Sequence, residues 1–224
     1  VSCASEVPAP NTGAVVASDN CSGILTVTSN DVIIPGSCAN RFTLNRTYTV
    51  SDCSGNSSSA VQVITVNDQI GPVLSPPATQ ILDVGAGAGC TVLMPDYRSL
   101  IAATDACGGT IALEQLAPNA PGSTVTGYGS AGTISFIGTD VCGNTSTTSF
   151  TLNLVDATAP NAVCQNITVD LDASGNASIT PAMVNNGSND NCSAVTLVSV
   201  FPNTFNCSNV GANTVTLTVI DNAG

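Results

Sequence analysis

Residues 140–160 read Asp140-Val141-Cys142-Gly143-Asn144, then a run from Thr145 to Val155, then Asp156-Ala157-Thr158-Ala159-Pro160. Within the run, Phe150, Leu152 and Leu154 alternate with Ser149, Thr151 and Asn153. A period of two predicts a strand with one buried face and one wet face. The Gly-Asn step before it reads as a turn, and the Asp and Pro after it punctuate the strand's end.

Each piece recurs. The turn signature appears as Asp52-Cys53-Ser54-Gly55-Asn56, as 140–144, and as Asp221-Asn222-Ala223-Gly224. The linker appears as Asp68-Gln69-Ile70-Gly71-Pro72 and as 156–160. An upstream triplet appears as Asp19-Asn20-Cys21, Asp105-Ala106-Cys107 and Asp190-Asn191-Cys192. Equivalents lie 81 to 88 residues apart, the mark of a repeat architecture. The reading is one complete repeat at 73–160 between two incomplete ones. The repeat at 1–72 lacks its opening strand, and the repeat at 161–224 stops before its closing strand.

Further alternation at Val215, Leu217 and Val219, and at Ile167, Val169 and Leu171, predicts more strands. No segment carries a sustained helical period, though 96–103 can make a short helical turn. About seven short strands in roughly 85 residues predict an all-β chain of tandem immunoglobulin-like β-sandwich repeats. Arg46 falls on the inward face of Phe42, Leu44, Tyr48 and Val50. Either a bulge re-phases that strand or a carboxylate pairs with Arg46.

The ten cysteines point to an oxidising compartment, because no Cys-x-x-Cys pair and no His supports a zinc site. Cys21 and Cys38 flank an expected hairpin with its turn at Ser29-Asn30-Asp31. Cys192 and Cys207 flank another, with its turn near Phe201-Pro202-Asn203. Residues equidistant from a hairpin turn face one another, so the expected pairs are Cys21–Cys38 and Cys192–Cys207, leaving Cys3–Cys53. In the middle repeat the same logic pairs Cys90 with Cys142 and leaves Cys107 odd; the rival pairing is Cys90–Cys107, with Cys142 odd. Cys164 is expected to pair beyond residue 224.

Composition excludes several functions. The net charge is −12, and the only basic residues are Arg41, Arg46 and Arg98. Nothing here can neutralise a run of phosphates, which argues against nucleic acid. No stretch reaches the ~18–20 apolar residues of a membrane span, so no membrane insertion is expected. Without His or Lys, the common general-base and Schiff-base chemistries are missing, and no enzyme activity is expected. Gly85-Ala86-Gly87-Ala88-Gly89 lacks the Lys and helix of a phosphate loop.

The run Ala162-Val163-Cys164-Gln165-Asn166-Ile167-Thr168-Val169, the Asp-Asn-Cys triplet, the stretch from Val210 to Val219 and the Asp-x-x-Gly-Asn turn together resemble the HYR (hyalin) repeat. They are most similar to versions arrayed in giant surface proteins of gliding bacteria. The resemblance implies an immunoglobulin-like fold, an extracellular, cell-surface location and a role in adhesion, with gliding motility as one setting. Against the family pattern, Ser75 stands where a cysteine is common and Thr147 or Thr148 stands where its partner lies. The loss of both is consistent with one missing disulfide.

Calcium is the cofactor to test, since hard cations take oxygen ligands from Asp and backbone carbonyls. In an immunoglobulin-like sandwich, the Asp-x-Cys loop and the Asp-x-x-Gly-Asn loop share the pole facing the preceding linker. Asp68 is therefore expected to meet Asp105 and Asp140, and Asp156 to meet Asp190 and Asp221. The plain alternative is that these Asp residues make Asx-turns on an acidic surface. The expected function is a structural segment of a long adhesin or surface filament, with neighbouring repeats as partners. The alternative is a module binding surface glycans or proteins, for which Tyr128 and Tyr97 are the exposed aromatic candidates.

Overall fold

The computed structural model describes residues 1–21 and 23–223. Gly224, which closes the third turn signature, lies outside them. Three strands form early: β1 Thr26–Cys38, β2 Arg41–Ser51 and β3 Ser57–Asn67. Eight follow: β4 Val73–Ser75, β5 Gln80–Asp83, β6 Thr91–Leu93, β7 Ala102–Thr104, β8 Ala112–Gln115, β9 Thr124–Thr126, β10 Ala131–Thr139 and β11 Thr145–Val155. The last four are β12 Asn176–Ser178, β13 Thr196–Phe201, β14 Thr204–Asn206 and β15 Thr216–Ile220, with one short helix, α1, at Pro181–Val184. The chain is nearly all β. The expected helical turn in 96–103 is a single 3-10 turn at Arg98–Leu100.

Contacts gather these elements into two units, Val1–Pro77 with Tyr97–Leu116 and Ser135–Ser149, and Ala78–Asp96 with Ala117–Ile134 and Phe150–Gly224. In the first unit, β1, β2 and β3 form an antiparallel sheet, β4 pairs with β7, and β8 pairs with β10. Leu44, Val66, Ile101 and Phe136 are among its buried apolar residues, Phe136 completely so. In the second unit, β5 runs parallel to the end of β11, β6 pairs with β9, β12 with β14 and β13 with β15. Ile179, Val184, Val200 and Leu217 form a core there, and Ile167, Val169, Phe205, Val215 and Val219 pack onto it.

The period-two reading holds at β11, where Phe150 and Leu152 are buried and Thr151 is exposed. It holds in burial but not in pairing at 167–171. Ile167, Val169 and Leu171 are half-buried and their neighbours exposed, yet no strand forms there.

Arg46 does meet a carboxylate. Its guanidinium forks onto Asp31, Nε to Oδ1 and Nη2 to Oδ2 at 2.8 Å each, and Nη1 donates to the Pro8 carbonyl at 2.8 Å. Asp31 stands directly across the ladder from Arg46. The fork holds the Asp31 carboxyl below the usual carboxylate range and raises the guanidinium. Arg46 is thereby satisfied on the buried side of β2, where it is only 2% exposed.

The same pairing overturns the expected turn at Ser29-Asn30-Asp31. These turn-prone residues continue β1 opposite Tyr48, Thr47 and Arg46, because cross-strand pairing outweighs local preference.

The disulfide expectations fall with that turn. The bridges are Cys3–Cys107, Cys38–Cys142 and Cys90–Cys192, with Cα–Cα distances of 4.9, 5.2 and 4.5 Å. Cys21, Cys53, Cys164 and Cys207 are free and exposed. None of the expected pairs, Cys21–Cys38, Cys3–Cys53, Cys192–Cys207, and Cys90–Cys142 or Cys90–Cys107, forms.

Strand length gives the reason. From Thr26 to Cys38, β1 is 13 residues long, about 40 Å, with a bulge between Pro35 and Cys38, so Cys21 and Cys38 lie at opposite ends. Asn67 at the end of β3 donates to the Val1 carbonyl, which puts Cys3 a whole strand away from Cys53. In the later segment, the arms flanking Pro202 and Asn203 join different sheets, β13 with β15 and β14 with β12, so Cys192 and Cys207 never face each other.

Candidate cation sites

Each candidate aspartate ends a strand or opens a loop, and each uses Oδ1 in the same way. The backbone N–H two residues on donates to it: Ile70 to Asp68 at 3.1 Å, Cys107 to Asp105 at 2.8 Å, Cys142 to Asp140 at 2.8 Å, Thr158 to Asp156 at 3.1 Å, Cys192 to Asp190 at 2.8 Å and Ala223 to Asp221 at 2.9 Å. These Asx-turns are why Asp is needed there.

The second unit brings Asp156, Asp190 and Asp221 together, with one carboxylate oxygen from each lying within 4.8 Å of the others. Asp156 and Asp221 are buried. Oδ2 of Asp156 is buried and has no hydrogen-bond partner. The unit contains no Lys, Arg or His, so no basic side chain of this unit balances the three clustered carboxylates. Gly85 closes the site from one side: a Cβ there would collide with Asp156 Oδ1 and lie 2.8 Å from Thr158 Oγ1. Asn191 pins that glycine loop, donating to the Gly85 and Gly87 carbonyls at 2.6 and 2.7 Å.

The first unit holds a poorer version. Asp68 and Asp105 approach within the same 4.8 Å, and the third member of the group is Cys107, whose sulfur is already in a disulfide. Asp68 is 1% exposed, and its Oδ2 is also buried without a partner. Arg41 stands beside it, donating from Nε to the Asp68 carbonyl at 2.8 Å and from Nη2 to Asn144 Oδ1 at 2.6 Å.

Asp140 is not in this cluster. Its Oδ1 also accepts from the Asn144 N–H, and its Oδ2 from Asn144 Nδ2, both at 2.8 Å. The Asn of the Asp-x-x-Gly-Asn turn thus saturates the carboxylate, as Asn56 does for Asp52. The sequence reading missed a further turn of this kind, Asp172 to Asn176, and the roles of Gly85, Asn144 and Asn191. Their signal was a Gly or Asn inside a motif already quoted. Tyr128 and Tyr97 are half-buried, and burial raises the Tyr97 phenol; neither is an exposed aromatic platform.

These turns set an acid limit on stability. Burial pushes the Asp140 carboxyl up, but the Asn144 side chain and the loop N–H groups outweigh it and hold it below the ordinary value. Asp52 is held low by Asn56, and Asp190 chiefly by the Cys192 N–H. A carboxyl depressed in the folded state stabilises fully above its unfolded value of ~3.9 and loses that contribution as pH falls through the folded value. With EDTA present, the unfolding midpoint is expected to be level from pH 7 to about 5 and to fall below about pH 4. A midpoint that stays level to pH 2.5 would contradict these assignments.

Residues 1–66 match the family model described as an HYR-like domain with 4 cysteines. That stretch holds Cys3, Cys21, Cys38 and Cys53. No curated protein matches the chain. Among solved structures, the chain is similar to a protocadherin gammaB7 EC3-6 cis-dimer, at 12% identity and a TM-score of 0.35 over 87% of this chain and 63% of that one. It is also similar to human CDH23 EC21-23, at 18% identity and a TM-score of 0.33 over 68% of this chain and 59% of that one. The chain thus spans less than two thirds of either.

Proposed function

We propose that this chain is an extracellular adhesion-type segment, a stiff spacer that adds length to a surface adhesin or filament, with gliding motility as one setting. On this reading it holds one complete immunoglobulin-like repeat of about 85 residues at 73–160, between incomplete ones at 1–72 and 161–224. The observation that carries this reading is the path of the disulfides. All three join cysteines 102 or 104 residues apart; with the proposed bounds each would cross from one repeat to the next and none would close within a repeat. A bridge of that kind resists separation of neighbours, which is the task of a spacer. Stacked repeats touch mainly their neighbours and gain length without new chemistry.

Calcium is the second fastener at these junctions. Asp156, Asp190 and Asp221 form the tighter site, and Asp68 with Asp105 the weaker one beside Arg41. Asp140 is reserved for its turn. Calcium takes six to eight oxygen ligands, so water completes each set. The orphaned, buried Oδ2 of Asp156 supports the assignment, since an uncompensated buried carboxylate oxygen is costly without a partner or an ion.

Calorimetric titration of the oxidised chain with calcium tests this. The expected result is one stronger binding event lost in Asp190→Asn and a weaker one lost in Asp105→Asn. Absence of calcium binding in the unsubstituted chain would reduce both clusters to plain Asx-turns. The partners of the spacer are its neighbouring repeats, with surface glycans or proteins bound elsewhere in the adhesin.

A further inference from the structure

β1 ends its sheet without the devices that usually close one. The sheet has the order β1-β2-β3, so one side of β1 is an edge. Among the described residues, no backbone group bonds to that side. Edge strands are normally kept from pairing by shortness, charge, Pro or a bulge. The other sheets follow that practice. Edges β5 and β8 have four residues each, the two-stranded pairs built on β4, β6 and β12 use three-residue strands, and β13 shifts register between Leu197 and Ser199.

β1 is 13 residues long, and its one irregularity lies between Pro35 and Cys38. Residues 26–34 are therefore a regular edge. Thr26, Val27, Thr28, Val32, Ile33 and Ile34 are β-branched and favour a strand. Val32, Ile33 and Ile34 are each more than half exposed. The stretch holds one charge, Asp31, and the Arg46 fork neutralises it. The rival edge on β3 is partly taken. The Val1 amino group donates to the Thr65 carbonyl at 3.2 Å, and the Asn67 N–H donates to the Val1 carbonyl at 3.0 Å. What is left of that edge opens on Ser57, Ser58 and Ser59, which lack the β-branched character of β1.

Only an extended backbone satisfies such an edge, and the side chains select which one. Consider residues 26–34 paired antiparallel with themselves about a two-fold axis at Asn30. On the face bearing Val32, Thr26 then stands opposite Ile34, Thr28 opposite Val32, and Asn30 opposite Asn30. On the other face, Val27 stands opposite Ile33 and Ser29 opposite Asp31. Branched side chains meet branched ones, two amides meet, and a hydroxyl can donate to the carboxylate. No charge faces a like charge. Moving the axis by one residue spoils the match. At Asp31 two carboxylates stand directly opposite, which is destabilising. At Val32 the ladder draws in Pro35 opposite Ser29, and at Ser29 residue Ile34 passes beyond the start of the strand it should meet.

We propose that two copies of this chain pair β1 to β1, antiparallel and in register about Asn30, so that their three-stranded sheets become one continuous sheet. The surface is self-complementary, so the contact closes at two copies. Beyond adding length, it ties two spacers side by side. The inference uses neither the repeat bounds nor the cation sites.

The test is sedimentation velocity of the oxidised chain, its free thiols alkylated, over a concentration series in EDTA. The expected result is a reversible equilibrium of monomer and dimer with nothing larger. Asn30 is exposed, so Asn30→Lys and Asn30→Asp should keep the parent's circular dichroism. Each sets like charges opposite across the axis and is expected to lose the dimer. An equimolar mixture of the two regains it, because opposite charges then face each other. A chain still monomeric at about 1 mM, where even a millimolar pair is substantially formed, would overturn the proposal. A dimer that survives both substitutions, or a mixture that stays monomeric, would place the contact elsewhere and overturn it too. Open-ended polymers would mean β1 pairing with β3, again against it. None of these outcomes bears on calcium binding or the three bridges, so the spacer reading stands or falls separately.

Discussion

Replacing Cys90 and Cys192 together by serine lowers the unfolding free energy by about 4–5 kcal/mol, read by urea titration in calcium-free buffer. The bridge closes a loop of 102 residues, and closing ~100 residues removes roughly that much chain entropy from the unfolded state. The pair is also the single covalent tie at its junction, whereas Cys3–Cys107 and Cys38–Cys142 share the other. The effect should therefore exceed that of removing Cys3 and Cys107, where the remaining bridge already restrains the unfolded chain. Equal losses from the two double substitutions would mean that the bridges do not act as separate junction ties. A small loss from Cys90→Ser with Cys192→Ser would mean that the folded junction holds without covalent help.

Calcium at about a hundred times its dissociation constant adds roughly 2.7 kcal/mol of stability, or about 5–10 °C in the unfolding midpoint for a chain of this size. Asp156→Asn is expected to abolish that increment. Asn keeps an oxygen for the Thr158 N–H but removes the charge at the orphaned Oδ2. In EDTA the same variant should be at least as stable as the parent chain, because it relieves repulsion from Asp190 and Asp221. An Asp156 that serves only its turn would leave the calcium increment the same in both proteins. Gly85→Ala should act like Asp156→Asn in calcium, since its Cβ displaces the Asp156 carboxylate.

Much of this was legible from residue types alone. Phe150 and Leu152 announced a half-buried strand through their alternation, and the strand bears it out. The recurrence of Asp156, Asp190 and Asp221 in three separate signatures placed them at one pole, and the structure gathers their carboxylates. Asp140 was misplaced because its fate depends on Asn144, whose backbone N–H donates to Oδ1 and whose side-chain amide donates to Oδ2. That exchange of hydrogen bonds depends on side-chain geometry, which spacing does not encode.

The disulfides were misread for a larger reason. Asn30 and Asp31 carry strong local turn preference, and only the partner strand reverses it, through Arg46 opposite Asp31. Once β1 is read as 13 residues long, Cys38 moves to the far end of the strand from Cys21, and its partner is Cys142. Long-range pairing had to be known before cysteine spacing could be used. Ile167, Val169 and Leu171 show the converse, where burial follows the pattern but no neighbouring strand completes the ladder.

The central claim, that junctions are tied across repeats and not within them, is tested most directly by pulling a single oxidised chain by its ends. The covalent path then runs through residues 1–3, across to Cys107, back to Cys90, across to Cys192 and on to 224. At about 3.6 Å per residue that path cannot exceed roughly 200 Å, against about 800 Å for the reduced chain. The account predicts that the oxidised chain stops near the shorter limit and reaches the longer one only after reduction. An oxidised chain that extends to most of its full length would contradict it, because bridges closed within each repeat, or absent, would leave the linkers free to pay out.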